Sequence, residues 1–184
     1  MALKKVKVQF IQKKITLLGN PAVGKTSLIQ RFVYDVFDDK YLATFGAKIT
    51  KKSLILLKDK FPALENNTKL SLQVWDIAGQ KAFSGVHPSY YKGSEGALVV
   101  CDITRKDTLD TLGNWIDDIR KVEPSIPVII LVNKCDLVDQ YAFEDPDVEA
   151  LAEKYQTLFY FTSARSGENV EDAFWTLAKS IMKL

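Results

Sequence analysis

The sequence predicts an α/β three-layer sandwich: one six-stranded, mostly parallel sheet with a single antiparallel strand and helices on both faces. Apolar, β-prone runs lie at residues 15–18, 49–57, 70–75, 96–101, 127–132 and 158–161, and amphipathic stretches of helical period separate most of them. That alternation means parallel pairs joined by right-handed crossovers. The second and third runs are joined by a shorter connection without a helical pattern, which makes that pair antiparallel. A chain of 184 residues with 47% hydrophobic and 26% charged content suits a single domain, residues 1–184, with a sizeable core.

Residues 1–12 read as a basic N-terminal extension. Lys4, Lys5, Lys7, Lys13 and Lys14 precede any acid, the first being Asp35. Val6, Val8 and Phe10 alternate with polar residues, as an extra strand or a long approach to the first one would. Leu28, Ile29, Phe32 and Val33 fall on one helical face. Residues 34–47 lack periodicity and read as a loop. Pro62 and Asn66-Asn67 mark 59–68 as a connection, and the third strand ends at Asp76. A polar loop and a short helical stretch fill 77–92. The fourth strand ends at Asp102, and Leu109, Leu112, Ile116 and Ile119 line one helix. The fifth strand ends at Asn133. Asp145-Pro146 then reads as N-cap and first-turn proline of a helix carrying Val148, Leu151 and Tyr155. The last helix begins near Asn169, with Val170, Ala173, Phe174, Leu177 and Ile181 facing inward.

Composition excludes several classes. A net charge of +2 implies no nucleic-acid partner, and no apolar run approaches the ~20 residues of a membrane span. Cys101 and Cys135 sit in apolar runs without metal-ligand spacing and read as core residues of a reducing compartment. Neither a signal peptide nor a lipidation motif is visible, Met1-Ala2 and Met182-Lys183-Leu184 lacking the myristoylation glycine and the prenylation cysteine. The expected location is the cytoplasm, with weak peripheral membrane contact through the basic start as one reading and a solvated edge as the other.

The chemistry centres on Gly19-Asn20-Pro21-Ala22-Val23-Gly24-Lys25-Thr26, a G-x-x-x-x-G-K-[ST] loop between a strand and a helix. Its glycines turn backbone N–H groups onto a polyphosphate, and the helix start adds unpaired donors and the positive end of its dipole. Lys25 suits the β- and γ-phosphates, and the Thr26 hydroxyl suits Mg²⁺. Three further motifs follow strand ends: Asp76-Ile77-Ala78-Gly79-Gln80 (D-x-x-G), Asn133-Lys134-Cys135-Asp136 (N-K-x-D) and Ser163-Ala164-Arg165. Ligands of such sheets bind beyond the carboxyl ends of the strands, where all four motifs occur.

In these motifs, and in Trp75-Asp76, Ser89-Tyr90-Tyr91-Lys92-Gly93 and Val100-Cys101-Asp102-Ile103-Thr104, the chain resembles a Ras-superfamily small GTPase, the Rab branch most closely, over residues 13–184. The resemblance implies GTP/GDP and Mg²⁺ as ligands. The loop residues Gly19, Ala22, Val23, Gly24, Lys25, Thr26 and Ser27 hold phosphate in such proteins. Thr26, Thr44 and Asp76 hold the metal, directly or through water. Gln80 orients the attacking water, with Lys25 and Thr44 completing the catalytic set, and Gly79 contacts the γ-phosphate. Phe37 and the Lys134 stem flank the base, Tyr41 closes over the phosphates, and Asn133, Asp136, Ser163, Ala164 and Arg165 recognise guanine. An Asp136 carboxylate accepts from both N1–H and the exocyclic amine of guanine, a pair of donors adenine does not offer. Effectors, exchange factors and activating proteins are expected at residues 37–49 and 77–92 of a monomer cycling in membrane traffic or signalling.

The chain departs from the family at Pro21, beside the γ-phosphate, which has no N–H. It departs also at Arg165, usually Lys, at Phe45-Gly46-Ala47-Lys48-Ile49, and in the long 59–68 connection. Trp75 reads as effector-facing with Ile49 and Tyr90, or as a buried core residue. Two other functions remain open: a nucleotide-loaded binding module with negligible hydrolysis, and a small-molecule kinase. The kinase has no use for the N-K-x-D motif. His87 has no partner identifiable from the sequence.

Overall fold

Six strands form one sheet in the order β2-β3-β1-β4-β5-β6, with β1 Val8–Leu18, β2 Ala47–Leu56, β3 Asn67–Ile77, β4 Gly96–Asp102, β5 Val128–Asn133 and β6 Leu158–Thr162. The computed structural model describes residues 7–38, 43–79 and 87–184, the His87 side chain excepted. All pairings are parallel except β2 with β3, as the missing crossover requires.

β1 has two halves with different surroundings. From Ile15 onward it is flanked by both β3 and β4, and Ile15, Thr16, Leu17 and Leu18 are all buried. Thr16 is tolerated there because its hydroxyl meets Ser94 Oγ at 2.5 Å. Before Ile15 only β3 is alongside, and Val8 and Phe10 are exposed. The alternation at 8–12 is thus the long approach to the first strand. β2 lies at the sheet edge, where Lys48, Lys51 and Lys52 discourage pairing with another chain. The 57–66 connection is not merely a solvated loop: Leu64 is buried in the core and Phe61 packs against it.

The helices are α1 Lys25–Tyr34, α2 His87–Tyr91, α3 Lys106–Asp110, α4 Leu112–Val122, α5 Asp145–Tyr155 and α6 Val170–Met182. α1 and α6 cover one face, where the Phe32 and Phe174 rings stack with centroids 4.0 Å apart among Ile15, Leu72 and Val100. On the other face Leu109, Leu112, Ile116, Ile119, Val148 and Tyr155 pack on Val99, Cys101, Ile130 and Val132. Both cysteines are free and buried.

Two local expectations shift. The single helix expected from Leu109 to Ile119 is broken into α3 and α4 at Thr111, whose hydroxyl turns back onto the Asp107 carbonyl at 3.0 Å. The α5 cap falls at Glu144 rather than Asp145. Its N–H donates to the Asp147 carboxylate at 3.2 Å, which leaves Asp145-Pro146 as the first turn.

Candidate functional site

The carboxyl ends of β1, β3, β5 and β6 surround a cavity of about 350 Å³. At one end it is lined by Pro21, Ala22, Gly24, Lys25, Thr26 and Ser27 with Thr44 and Gly79 from the segments flanking β2 and β3. At the other end lie Phe37, Asn133, Lys134, Asp136, Ala164 and Arg165. Gly19, Val23, Asp76 and Ser163 stand behind this lining. Tyr41 and Gln80, expected at the phosphates and at the attacking water, lie outside the described residues.

The loop after β1 has the shape its sequence requires. Gly24 has φ 98°, and a Cβ there would fall 2.2 Å from Asn133 Nδ2. That space lets Asn133 donate to the Val23 carbonyl at 2.9 Å, while its Oδ1 accepts from the Ala164 N–H at 3.3 Å. One buried amide thus ties the glycine loop, β5 and the loop after β6 together. The Ala164 N–H, expected to face a base carbonyl, donates to this tie.

Lys25 is 6% exposed and donates to the carbonyls of Gly19 and Asn20, each at 2.8 Å. Burial brings its pKa down to about 8, against the opposing pull of the Asp76 charge. Thr26 Oγ1 donates to Asp76 Oδ2 at 2.5 Å, and having spent its proton there it accepts from the Thr44 hydroxyl at 2.9 Å. Asp76 is 2% exposed, and its Oδ1 has no hydrogen-bond partner among the described residues. Burial raises its carboxyl, against the Thr26 hydrogen bond and the Lys25 charge. A buried carboxylate oxygen without a donor, beside two hydroxyls, is an oxygen-only set that suits a hard divalent cation such as Mg²⁺. The residues present therefore fit that ion.

Gly79 lies against the loop itself. A Cβ on it would fall 2.3 Å from the Gly19 carbonyl oxygen and 2.7 Å from Pro21 N. Absence of a side chain is what allows the D-x-x-G segment to reach the glycine loop.

At the other end Asp136 Oδ1 accepts from the Ser163 hydroxyl at 2.6 Å, and Ser163 Oγ accepts from the Ser166 N–H at 3.0 Å. Lys134, at φ 68°, reaches Asp102 Oδ2 at 2.6 Å. Arg31 from α1 donates to the Ala164 carbonyl at 2.8 Å and the Arg165 carbonyl at 2.6 Å, fixing the last motif from below.

Several contributors escape sequence reading. Arg31, Gln30, Asp38 and Leu137 stand outside the four motifs, and no spacing marks them. Asp102 had a signal: an acid ending a buried apolar strand. It is 1% exposed; burial pushes its carboxyl up, but hydrogen bonds from Lys134 and Thr104 outweigh this and hold it below the usual range. Arg105 binds Asp102 Oδ2 at 3.2 Å and the Pro21 carbonyl at 2.9 Å.

Comparison with known proteins points the same way. A sequence model of the Ras family matches residues 14–183. GTP-binding protein ypt5 of Schizosaccharomyces pombe is 39% identical over 173 residues, 93% of this chain and 78% of that protein. Ras-related protein Rab-8B of Homo sapiens is 38% identical over 170 residues, 92% of this chain and 78% of its own length. Ras-related protein RABA4a of Arabidopsis thaliana is 35% identical over 172 residues, 93% and 72% respectively.

Proposed function

The chain belongs to the Ras family as a Rab-like small GTPase, and from that premise we propose that it binds GTP and GDP with Mg²⁺ and cycles between them by slow hydrolysis. The observation that carries this is the single cavity joining the Lys25–Thr26–Thr44–Asp76 cluster to the Asn133–Asp136–Ser163 network. One end supplies a cation, hydroxyls and a carboxylate for a metal–polyphosphate. The other supplies a carboxylate for a base edge bearing two N–H donors.

Guanine binds with Asp136 accepting from N1–H and the exocyclic amine, Ser163 holding the carboxylate in place. Phe37 and the Lys134 stem flank the ring, and the Ala164 N–H divides between Asn133 and the base carbonyl. Loop amides from Ala22 to Ser27 and the Lys25 ammonium take the phosphates, Lys25 leaving the loop carbonyls to do so. Thr26, Thr44 and Asp76 hold Mg²⁺, which neutralises charge on the phosphate oxygens. Thr44 and Gly79 are the two latches: each reaches the phosphate end from a segment flanking the sheet. Gln80 orients the attacking water.

Loss of the γ-phosphate releases both latches, an order–disorder change that partners read. The reading surface lies in residues 37–49 and 77–92. Ile49 and Trp75 are cross-strand neighbours there; Ile49 is exposed, and Trp75 is half-buried under the Lys14 ammonium, 4.0 Å from the ring centre. The expected setting is membrane traffic or signalling. No helix among the described residues is long and apolar enough to cross a membrane.

The test is the nucleotide that copurifies, followed by turnover of GTP with and without Mg²⁺. Guanine nucleotide and Mg²⁺-dependent release of phosphate are expected. Copurified adenine nucleotide, or indifference to Mg²⁺, would sink the proposal.

A further inference from the structure

We propose that Arg105 is a positioning residue for hydrolysis: oriented by the buried Asp102 carboxylate, its guanidinium holds the Pro21 carbonyl and fixes the tip of the glycine loop beside the reacting phosphate. The proposal rests on the GTPase reading above and adds a residue outside its four motifs.

Pro21 has no N–H, so the carbonyl is the only backbone hydrogen-bonding group it offers. That oxygen accepts from Arg105 Nη2 at 2.9 Å. The same guanidinium donates through Nε to Asp102 Oδ2 at 3.2 Å, and Asp102 is 1% exposed, so the arginine is aimed by a fixed anion. The neighbouring loop residue is held from the same side. Asn20 Oδ1 accepts from Trp115 Nε1 at 2.9 Å and lies 3.2 Å from the Thr111 hydroxyl, which divides its proton between this oxygen and the Asp107 carbonyl. Gly79 also abuts Gly19, Asn20 and Pro21. The tip is therefore held by both the D-x-x-G segment and the stretch from Asp102 to Trp115. Asp102 also takes the Lys134 ammonium, so one carboxylate orients both the base-flanking lysine and the loop-holding arginine.

A planar guanidinium spans a carboxylate and a carbonyl at once; a lysine ammonium is a point donor on a flexible stem and does not reproduce that span. Hydrolysis by such a site depends on positioning, and misplacement by about 1 Å costs up to ~10²-fold in rate. Freeing the tip should slow the chemical step while leaving the amides and Lys25 that bind GDP in place.

The experiment compares wild type, Arg105→Ala and Arg105→Lys in single-turnover GTP hydrolysis, GDP affinity and thermal midpoint. A fall in hydrolysis of at least ~5-fold in both variants is expected, on the positioning estimate above. GDP affinity should stay within about 3-fold and the midpoint within about 3 °C, because Lys134 and Thr104 keep the buried Asp102 carboxylate paired. Hydrolysis at the wild-type rate in the Ala variant would overturn the proposal, and so would restoration by Lys. A parallel loss of rate, affinity and midpoint would overturn it as well, marking Arg105 as a structural prop. Wild type that neither binds GDP nor turns over GTP would remove the GTPase reading together with this inference.

Discussion

Replacing Asp136 by alanine isolates the base end of the cavity. Asp136 lies on the cavity wall, one oxygen already held by Ser163 Oγ at 2.6 Å. On the proposed reading guanine would bring two donors to this carboxylate, and hydrogen bonds to a charged group contribute about 1.5–3 kcal/mol each. Asp136 is only half-buried, so water entering the truncated pocket recovers part of that loss. The expected net cost is therefore at least ~2 kcal/mol, or about 30-fold in GDP and GTP affinity. The preference over ATP should disappear with it, because adenine never engaged the carboxylate. Ser163→Ala removes the hydroxyl that orients Asp136; water at this half-buried carboxylate replaces part of that bond, so the loss of about 1 kcal/mol should weaken GDP about 5-fold without erasing selectivity. Competitive titration against a fluorescent GDP analogue measures both. Unchanged GDP affinity in Asp136→Ala would refute the assignment of the whole base end.

The other expectations are independent of that one. Gly79→Ala places a Cβ 2.3 Å from the Gly19 carbonyl oxygen, so the segment after β3 must back away from the loop. Overpacking of this kind costs about 1–3 kcal/mol and should lower the melting temperature by roughly 3–10 °C, an unchanged midpoint showing that the contact is not made. Burial pushes the Cys135 thiol up to about 12 and the Cys101 thiol higher still. A raised thiol pKa leaves the thiolate at about 10⁻⁴ of the total at pH 8, against roughly a quarter for a free cysteine. Iodoacetamide at that pH should label neither thiol until urea unfolds the chain, and rapid labelling of the folded protein would contradict the burial. Residues 8–12 pair with β3, so the basic start is best probed by Lys4→Gln, Lys5→Gln and Lys7→Gln together, not by deleting residues 1–12. With about 1 kcal/mol per lysine near an anionic surface, the triple variant should lose salt-sensitive sedimentation with anionic vesicles. Sedimentation equal to wild type would assign these lysines to a solvated edge.

Patterns that repeat along the chain were legible; contacts made across it were not. The parallel pairing, the antiparallel β2–β3 pair and the two helical layers follow from alternation of apolar runs with helical stretches, which is local information; the order β2-β3-β1-β4-β5-β6 does not. The four motifs were legible because each has fixed spacing and stands at a strand end. Arg31 and Arg105 were not. Each acts on a backbone carbonyl far along the chain, Ala164 and Pro21 respectively, and a carbonyl leaves no trace in residue identity. The break at Thr111 was hidden for a related reason. A threonine hydroxyl competes with the helix only once its partners, here the Asp107 carbonyl and the Asn20 side chain, are in place. In the 57–66 connection Pro62 and the asparagines signalled a turn, and the burial of Leu64 depended on core space that no local pattern reports.

On the proposed cycle, the arginines bear on how fast hydrolysis runs unaided. The chain contains Arg31, Arg105, Arg120 and Arg165 and no others. Arg31 is held by the Ala164 and Arg165 carbonyls and the Asp35 carboxylate, and Arg120 donates to the Tyr155 carbonyl. Arg165 lines the base end of the cavity. Arg105 approaches the phosphate end, but its donors go to Asp102 and to the Pro21 carbonyl. No arginine of this chain is thus free to neutralise charge on the transferring phosphoryl group, the contribution that separates an assisted switch from an unassisted one by 10³–10⁵ in general. Intrinsic hydrolysis should then be on the order of 10⁻⁴–10⁻³ s⁻¹, set by Lys25, the metal site and Gln80, with acceleration left to a partner's arginine. Gln80→Leu should lower that rate at least ~10-fold, about 1.4 kcal/mol, with GDP affinity unchanged. The pair of measurements is single-turnover phosphate release by wild type and by the Gln80 variant. A wild-type rate near 10⁻² s⁻¹, typical of an arginine supplied in cis, would mean that Arg105 leaves Pro21 for the phosphate. An unaltered rate in Gln80→Leu would mean that water is positioned by another group.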